Sequence, residues 1–379
     1  MGLAPYAMRD EDTQGRRFAE RPHLYRSEYQ RDRDRVIHTK AFRRLEKKTQ
    51  VFAPDYSDHF RNRLTHTIEV AQISRTISRT LGLNTDLCEV LALSHDIGHP
   101  PYSHEGERVL DRIMKGYGEG FEHNLHALRI VEDFEEKYAA FRGLNLTFEV
   151  REGIVKHSRD YGPGDEPYID ISAYRLGSRP PLEAQLIDSA DEIAYNAADL
   201  DDGYDSGLLS VGQMNANLTL FRQLWGEVQS EHIEAEEKLK VSEVVRRIID
   251  FLVTNLIAET RRTIDAYGIN SVEQVRRFEG RLFKFDSETA SHNGELKGFL
   301  RRYLYDHEVL RRARRSAERQ LEDLFEYYLR KPENLPPSHN TRVVELGLNR
   351  VVCDYIAGMT DTFARSTHRE IFGAAESSS

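Results

Sequence analysis

The chain has 379 residues, 39% hydrophobic and 31% charged, which is enough apolar material for one large or two ordinary packed domains and excludes a disordered chain. Its formal net charge of −10 excludes a global basic field, so an anionic ligand must be met by a local cluster of Lys and Arg. No apolar run reaches membrane-spanning length, the first residues have no signal-peptide pattern, and the two Cys, Cys88 and Cys353, fall in apolar helical patterns, which together point to a reduced, cytoplasmic protein without a disulfide framework.

Residues 1 to about 25 are polar and irregular and read as a flexible arm. From Ser27 to Leu45 charges alternate with Val36, Ile37, Phe42 and Leu45, an amphipathic helical pattern. It runs into Arg43, Arg44, Lys47 and Lys48, which read equally as a solvated face or as an anion site. Pro54 to Phe60 reads as a loop. The next pattern, about Arg61 to Leu81, has Leu64, Ile68, Ala71, Ile77 and Leu81 along one stripe, with Arg63 and His66 sharing a face. A turn from Gly82 to Thr85 leads into Leu87, Val90, Leu91 and Leu93, with Asn84 or Thr85 as the cap.

That apolar helix delivers the densest chemistry in the chain. Ser94 to Glu107 holds His95, Asp96, His99, His104, Glu105 and Glu107, broken by Gly98, Pro100 and Pro101. A buried Asp is costly unless paired or bound to a cation, and imidazole together with carboxylate suits a divalent metal. Glu107 follows His104 by three residues, a spacing at which a carboxylate can hold an imidazole in one tautomer.

A helix through Val109 and Ile113 follows, then a Gly-rich turn, then Phe121-Glu122-His123-Asn124 opening a helix through Leu128 and Val131. A short helix from Val150 to Lys156 ends at His157, and the Gly- and Pro-rich residues 158–181 read as a long broken connection, either a lid or a surface excursion. Leu182 to Leu200 is a helix whose polar side carries Asp188, Asp191, Tyr195 and Asp199 and which contains no Lys or Arg, as expected of a face that holds a cation or a sugar. From Leu208 to Gly373 the patterns are helical again, including an apolar run from Val244 to Ile257 and a final helix expected from about Thr341 to Ala364. Arg301, Arg302, Arg311, Arg312, Arg314 and Arg315 read first as a solvated or subunit-facing surface. Almost nothing alternates with period two, so the expected fold is all-α with almost no sheet.

His66, His95, Asp96 and Asp191, each on or beside a helix, supply two imidazoles and two carboxylates to one octahedral metal and leave positions open for water and substrate. This order resembles the HD-domain phosphohydrolases. The fuller set, Lys40-Ala-Phe-Arg-Arg-Leu45 with Lys48-Thr-Gln-Val-Phe52, Arg63-Leu-Thr-His66, His95-Asp-Ile-Gly-His-Pro-Pro101, His104 to Glu107, Phe121-Glu-His-Asn124, Ala190-Asp-Glu-Ile-Ala-Tyr195, Asp199-Leu-Asp-Asp202 and Arg350-Val-Val-Cys-Asp-Tyr-Ile-Ala-Gly-Met-Thr-Asp361, resembles the deoxyguanosinetriphosphate triphosphohydrolase-like proteins across nearly the whole chain.

The resemblance implies one unit over 1–379, with an HD metal core at 61–202 and a C-terminal helical region at 208–373. It implies cleavage of a deoxynucleoside triphosphate to deoxynucleoside and tripolyphosphate, with Mg2+ or Mn2+ on His66, His95, Asp96 and Asp191. His104 would act at the α-phosphate, oriented by Glu107; His99 and His123 would bind phosphate oxygens, and Arg63 would neutralise the α-phosphate. Gln50, Tyr195 and Asp199 would read the sugar 3′-hydroxyl. His126 stands where the family often has Gln and receives no role. A homo-oligomer, a tetramer or hexamer, is expected, with a dNTP activator at a second site and single-stranded DNA as further candidate partners, and no membrane. The competing readings are another HD phosphohydrolase, acting on a nucleoside monophosphate or cyclic nucleotide, and a nucleotide- or ssDNA-binding regulator. No P-loop glycine motif is present, so ordinary NTPase chemistry lacks its cradle.

Overall fold

A computed structural model describes residues 2–52, 59–162, 164–165 and 167–376. The loop expected over Pro54–Phe60 lies outside these residues except for His59 and Phe60. Among the described residues the fold is all-α, and the only strand-like pairings are four isolated bridges. None of the described helices is long and apolar enough to cross a membrane. Both cysteines are free and buried.

The contacts divide the chain into two discontinuous units rather than into consecutive segments. One unit comprises 1–13, 68–92 and 178–311; the other comprises 14–67, 93–177 and 312–379. Helices α3 (Arg63–Leu81) and α4 (Thr85–Ser94) each contribute residues to both.

The second unit begins with α1 (Glu28–Ile37) and α2 (Lys40–Arg44). The sequence pattern reads as one helix, but Thr39 Oγ1 accepts the N–H of Phe42 at 3.0 Å and starts a second one. In chain order its later helices are α5 (Ser103–Lys115), α6 (His123–Arg129) and α7 (Phe148–Val155). Val109, Leu110 and Met114 of α5 pack into a core that includes Leu321, Leu324, Phe325, Val351, Val352 and Ile356.

The part of the expected N-terminal arm in this unit is anchored. Arg16 pairs with the fully buried Asp32 and donates to the Asn145 carbonyl at 2.7 Å. The long connection is seated too: Tyr161, Ile171 and Tyr174 are buried, and Tyr161 donates to Glu122 at 2.6 Å.

The first unit is built on α8 (Leu182–Asp205), followed by α9 (Val211–Asn217), α10 (Thr219–Glu231), α11 (Glu237–Tyr267), α12 (Val272–Arg277) and α13 (Ser287–Phe299). Helix α8 packs on α11, and its Leu186, Ile193 and Leu200 are fully buried. Here too the arm is held: Ala7 and Met8 are buried, and Met8 N–H and Asn84 N–H both donate to Glu183 Oε1 at 3.0 Å. Asn84 also caps α4, its side chain accepting the Leu87 N–H at 3.2 Å. On α3 the expected stripe is rotated: Ile68 is 54% exposed, and Val70, Ala71, Ile73, Ile77 and Leu81 form the buried side.

Helix α14 (Glu308–Arg330) carries Arg311, Arg312, Arg314 and Arg315 of the arginine-rich stretch, with Arg312 and Arg315 exposed. After a short α15 (Pro337–Asn340), the expected final helix is three: α16 (Val343–Leu346), α17 (Leu348–Ala357) and α18 (Asp361–Glu376). Gly347 at φ +81° and the Thr360–Asp361 start of α18 supply the breaks.

Candidate active site

The second unit brings His66, His95 and Asp96 together without solvent. All three are under 5% exposed, and one donor atom from each lies within 4.8 Å of the others. His66 comes from the first turn of α3, and His95 and Asp96 follow the last residue of α4. Two imidazole nitrogens and a carboxylate oxygen at that separation fit a divalent metal with oxygen and nitrogen preference.

Asp96 is the hub of this group. It accepts a charge-assisted hydrogen bond from Arg63 and stands 3.4 Å from His95 Nε2 and 3.1 Å from His99 Nε2. Burial pushes its carboxyl up, but the Arg63 guanidinium with His95 and His99 outweighs burial and holds it well below the usual carboxylate range. Asp96 is therefore ionised, the form that binds a cation. The second arm of Arg63 donates to Ser103 Oγ at 2.6 Å, so this guanidinium is already committed within the protein.

A second group lies beside the first. His99 and His123 stack with ring centroids 3.9 Å apart and planes 16° apart. Gly98 makes this stacking possible: a Cβ there would lie 2.1 Å from the His123 carbonyl oxygen and 2.5 Å from the Ala127 nitrogen, so only glycine admits the approach. The His104 ring is 5.1 Å from His99 and 6.4 Å from His123, and its side chain is 80% exposed. Burial together with the Arg63 charge holds His99 well below the usual imidazole range, so its ring is neutral, and its buried Nδ1 has no partner among the described residues.

Glu107, expected beside His104, also serves a second imidazole. It accepts the His123 backbone N–H at 2.9 Å, capping α6, and pairs with His123 Nδ1 at 2.8 Å. It stands 3.7 Å from His104 Nδ1, so its tighter partner is His123. Burial opposes ionisation of Glu107, but His123, with His104 nearby, overrides it and holds the carboxyl far below its ordinary value.

His157 is a site residue that sequence reasoning passed over. Its ring lies 5.2 Å from that of His95, it is 5% exposed, and its carbonyl accepts Asn124 Nδ2 at 2.7 Å. Gln50 is half-buried, and its buried Oε1 has no partner among the described residues, which suits it to accept from a hydroxyl. His126 is buried, 3.8 Å from Asp354.

Asp191, Tyr195 and Asp199 are on α8 in the first unit. The buried Asp199 accepts the Tyr305 hydroxyl, and burial and Asp199 together push the Tyr305 phenol above its ordinary range. The acidic side of α8 does have basic partners, supplied from later in the sequence: Arg281 lies 2.9 Å from Asp188, and Lys297 lies 3.1 Å from Glu192.

Comparison with known proteins agrees with this arrangement. The HD domain matches residues 63–196, and the phosphohydrolase-associated domain matches residues 283–370. A deoxyguanosinetriphosphate triphosphohydrolase-like protein of Geobacter sulfurreducens is 45% identical over 370 residues, covering 98% of this chain and 95% of the relative. The chain belongs to the deoxyguanosinetriphosphate triphosphohydrolase-like family. Other members of the family align as fully: that of Thiobacillus denitrificans is 45% identical over 99% of this chain and 98% of its own, and that of Caulobacter vibrioides 43% over 97% and 96%. As an HD-domain member of this family the protein is a hydrolase, and His66, His95 and Asp96 form a group that fits a divalent metal.

Proposed function

We propose that the protein hydrolyses deoxynucleoside triphosphates to deoxynucleoside and tripolyphosphate, serving dNTP pool control in the cytoplasm. The observation that carries the reading is the position of Asp96, which touches His95 in one group and His99 in the other. A cation-binding trio is thus joined to three imidazoles, His99, His104 and His123, within one buried-to-exposed gradient.

In this reading His66, His95 and Asp96 hold Mg2+ or Mn2+, with Asp191 as the fourth ligand that the family resemblance implies. When bound, such an ion polarises a phosphoryl oxygen and lowers the pKa of its water. The chain's own residues do the rest. His104, the exposed imidazole, donates a proton to the leaving 5′ oxygen as a water oxygen bonds to the α-phosphorus and the ester bond breaks. His123, its Nδ1 tied to Glu107, presents Nε2 to the phosphates. A neutral His99 that gives Nε2–H to Asp96 offers only a lone pair at Nδ1. The charge of a triphosphate favours a second proton there and turns it into a donor. Gln50, Tyr195 and Asp199 meet the 3′-hydroxyl, and close packing by Tyr195 disfavours a 2′-hydroxyl. We further propose a homo-oligomer, a tetramer or hexamer, with a dNTP activator at a second site and single-stranded DNA as a further partner.

The test is incubation of the purified chain with Mn2+ or Mg2+ and each dNTP, singly and mixed, with products separated by anion exchange. Deoxynucleoside plus tripolyphosphate is expected. Diphosphate or single phosphate as the product would replace this reading with another HD phosphohydrolase. Binding without turnover would replace it with a regulator. Faster turnover in mixtures would reveal the activator.

A further inference from the structure

Lys48-Thr49 and Asp361 belong to motifs that carry the family resemblance but have no role in the chemistry above. They meet at the backbone of the His99–His104 segment. Asp361 opens α18 and is wholly buried. Its Oδ1 accepts the Tyr102 backbone N–H at 3.0 Å. Its Oδ2 accepts the Thr49 backbone N–H at 2.8 Å and also the Thr49 hydroxyl. The buried Lys48 donates its ammonium to the His99 carbonyl and, at 3.5 Å, to that of Ala357. The segment is thus gripped at His99 and again at Tyr102.

At the entry to α5 the backbone turns left-handed at two successive side-chain-bearing residues, Tyr102 at φ +64° and Ser103 at φ +61°. A side chain rarely adopts this conformation unaided, so the pair persists only where its surroundings hold it. The Tyr102 hydroxyl donates to Gln320 Oε1 at 2.6 Å, and Ser103 Oγ accepts from Arg63. The Asp361 carboxylate does not cap its own helix, because Thr360 Oγ1 takes the Phe363 N–H at 3.2 Å. It is directed at the turn instead.

We propose that Asp361 is a positioning residue: by holding the left-handed Tyr102–Ser103 turn it fixes His104, the second residue of α5, against His99. The proposal rests on the reading above only in giving His99 and His104 their work on the triphosphate.

The experiment compares full-length wild type, Asp361→Ala and Asp361→Asn. Hydrogen exchange is read on the peptide spanning residues 99–106, together with metal content and dNTP kinetics. In Asp361→Ala the peptide is expected to exchange about tenfold faster or more while the rest of the chain and the metal content are unchanged. kcat is expected to fall about tenfold or more, with KM moving less than about threefold. Asp361→Asn, whose Oδ1 still accepts the Tyr102 N–H while its NH2 replaces the acceptor of the Thr49 N–H, is expected to exchange and turn over at rates between those of Asp361→Ala and wild type. Should Asp361→Ala fail to fold, Asp361→Ser, which cannot reach both Thr49 and Tyr102, replaces it under the same readings. Unchanged exchange in the 99–106 peptide overturns the proposal whatever the activity. So does faster exchange with unchanged kcat, and so does exchange raised evenly over the whole chain. A wild type that releases no tripolyphosphate from any dNTP defeats the functional reading instead, and the exchange result still decides the clamp.

Discussion

Glu107 Oε1 lies 2.8 Å from His123 Nδ1, while Glu107 Oε2 is 3.7 Å from His104 Nδ1. One carboxylate on α5 therefore fixes the tautomer of an imidazole on α6 and stands next to a second imidazole one turn before it. Glu107→Gln keeps the shape and removes the charge. Turnover is expected to fall roughly 10- to 100-fold, the usual cost of losing a partner that orients a working histidine. Metal content should stay at the wild-type level; a variant that loses its metal would mean that Glu107 acts on the ion and not on the histidines.

His104 is the exposed member of the three imidazoles, its side chain 80% exposed, so His104→Ala removes little packing. Turnover should drop by about 10² or more, the span ascribed to a positioned acid or base. Thermal stability and metal content should match wild type. Retention of more than a tenth of wild-type kcat would take the proton-donor role away from His104.

Asp96→Ala is expected to cost both metal and fold. The substitution leaves Arg63 buried with its principal anion gone, and breaking a buried pair in this way costs about 3–5 kcal/mol. Because the Asp96 carboxyl is held below its unfolded value, its contribution is present above about pH 4 and lost as pH falls through the depressed value. Denaturant unfolding with metal analysis at neutral pH checks the first point. The acid limb of the stability curve, shallower in the variant, checks the second.

Glu183 works in the opposite direction. Burial raises its carboxyl to about 7, against the pull of the Asn84 and Met8 amides that it accepts. A carboxyl raised on folding contributes stability that is complete below pH 4.5 and is lost as pH rises through about 7. Wild type is expected to lose about 3 kcal/mol between pH 4.5 and 8 through this group. Glu183→Gln, which still accepts both amides through Oε1, should lack that slope. Urea unfolding of both proteins at the two pH values measures it, and parallel curves would remove Glu183 as the source.

What could be read from the sequence was what is local in sequence. The helices α3, α4 and α8 announce themselves by apolar spacing, and the crowded His95–Glu107 segment needs no tertiary partner to be noticed. What was hidden depends on contacts far along the chain. His157 reads as the residue after a short helix until the fold sets its ring beside His95. The choice of Glu107 for His123 over His104 follows from the seating of α6 against Gly98. The acidic face of α8 looked unopposed because its cations, Arg281 and Lys297, lie about a hundred residues later. The break between α1 and α2 was missed because Thr39 caps the second helix without disturbing the apolar period.

Gly98 has no side chain and takes no part in any proton or metal transfer, yet a methyl group there would sit 2.1 Å from the His123 carbonyl oxygen. Gly106 is equally confined: a Cβ there would lie 1.9 Å from the Pro101 carbonyl oxygen. In a saturation mutagenesis survey scored by activity, both glycines would appear as unforgiving as His95 or Asp96. A catalogue of indispensable positions compiled that way would mix reacting groups with positions whose one duty is to leave room, and counting only the former requires asking what each side chain touches.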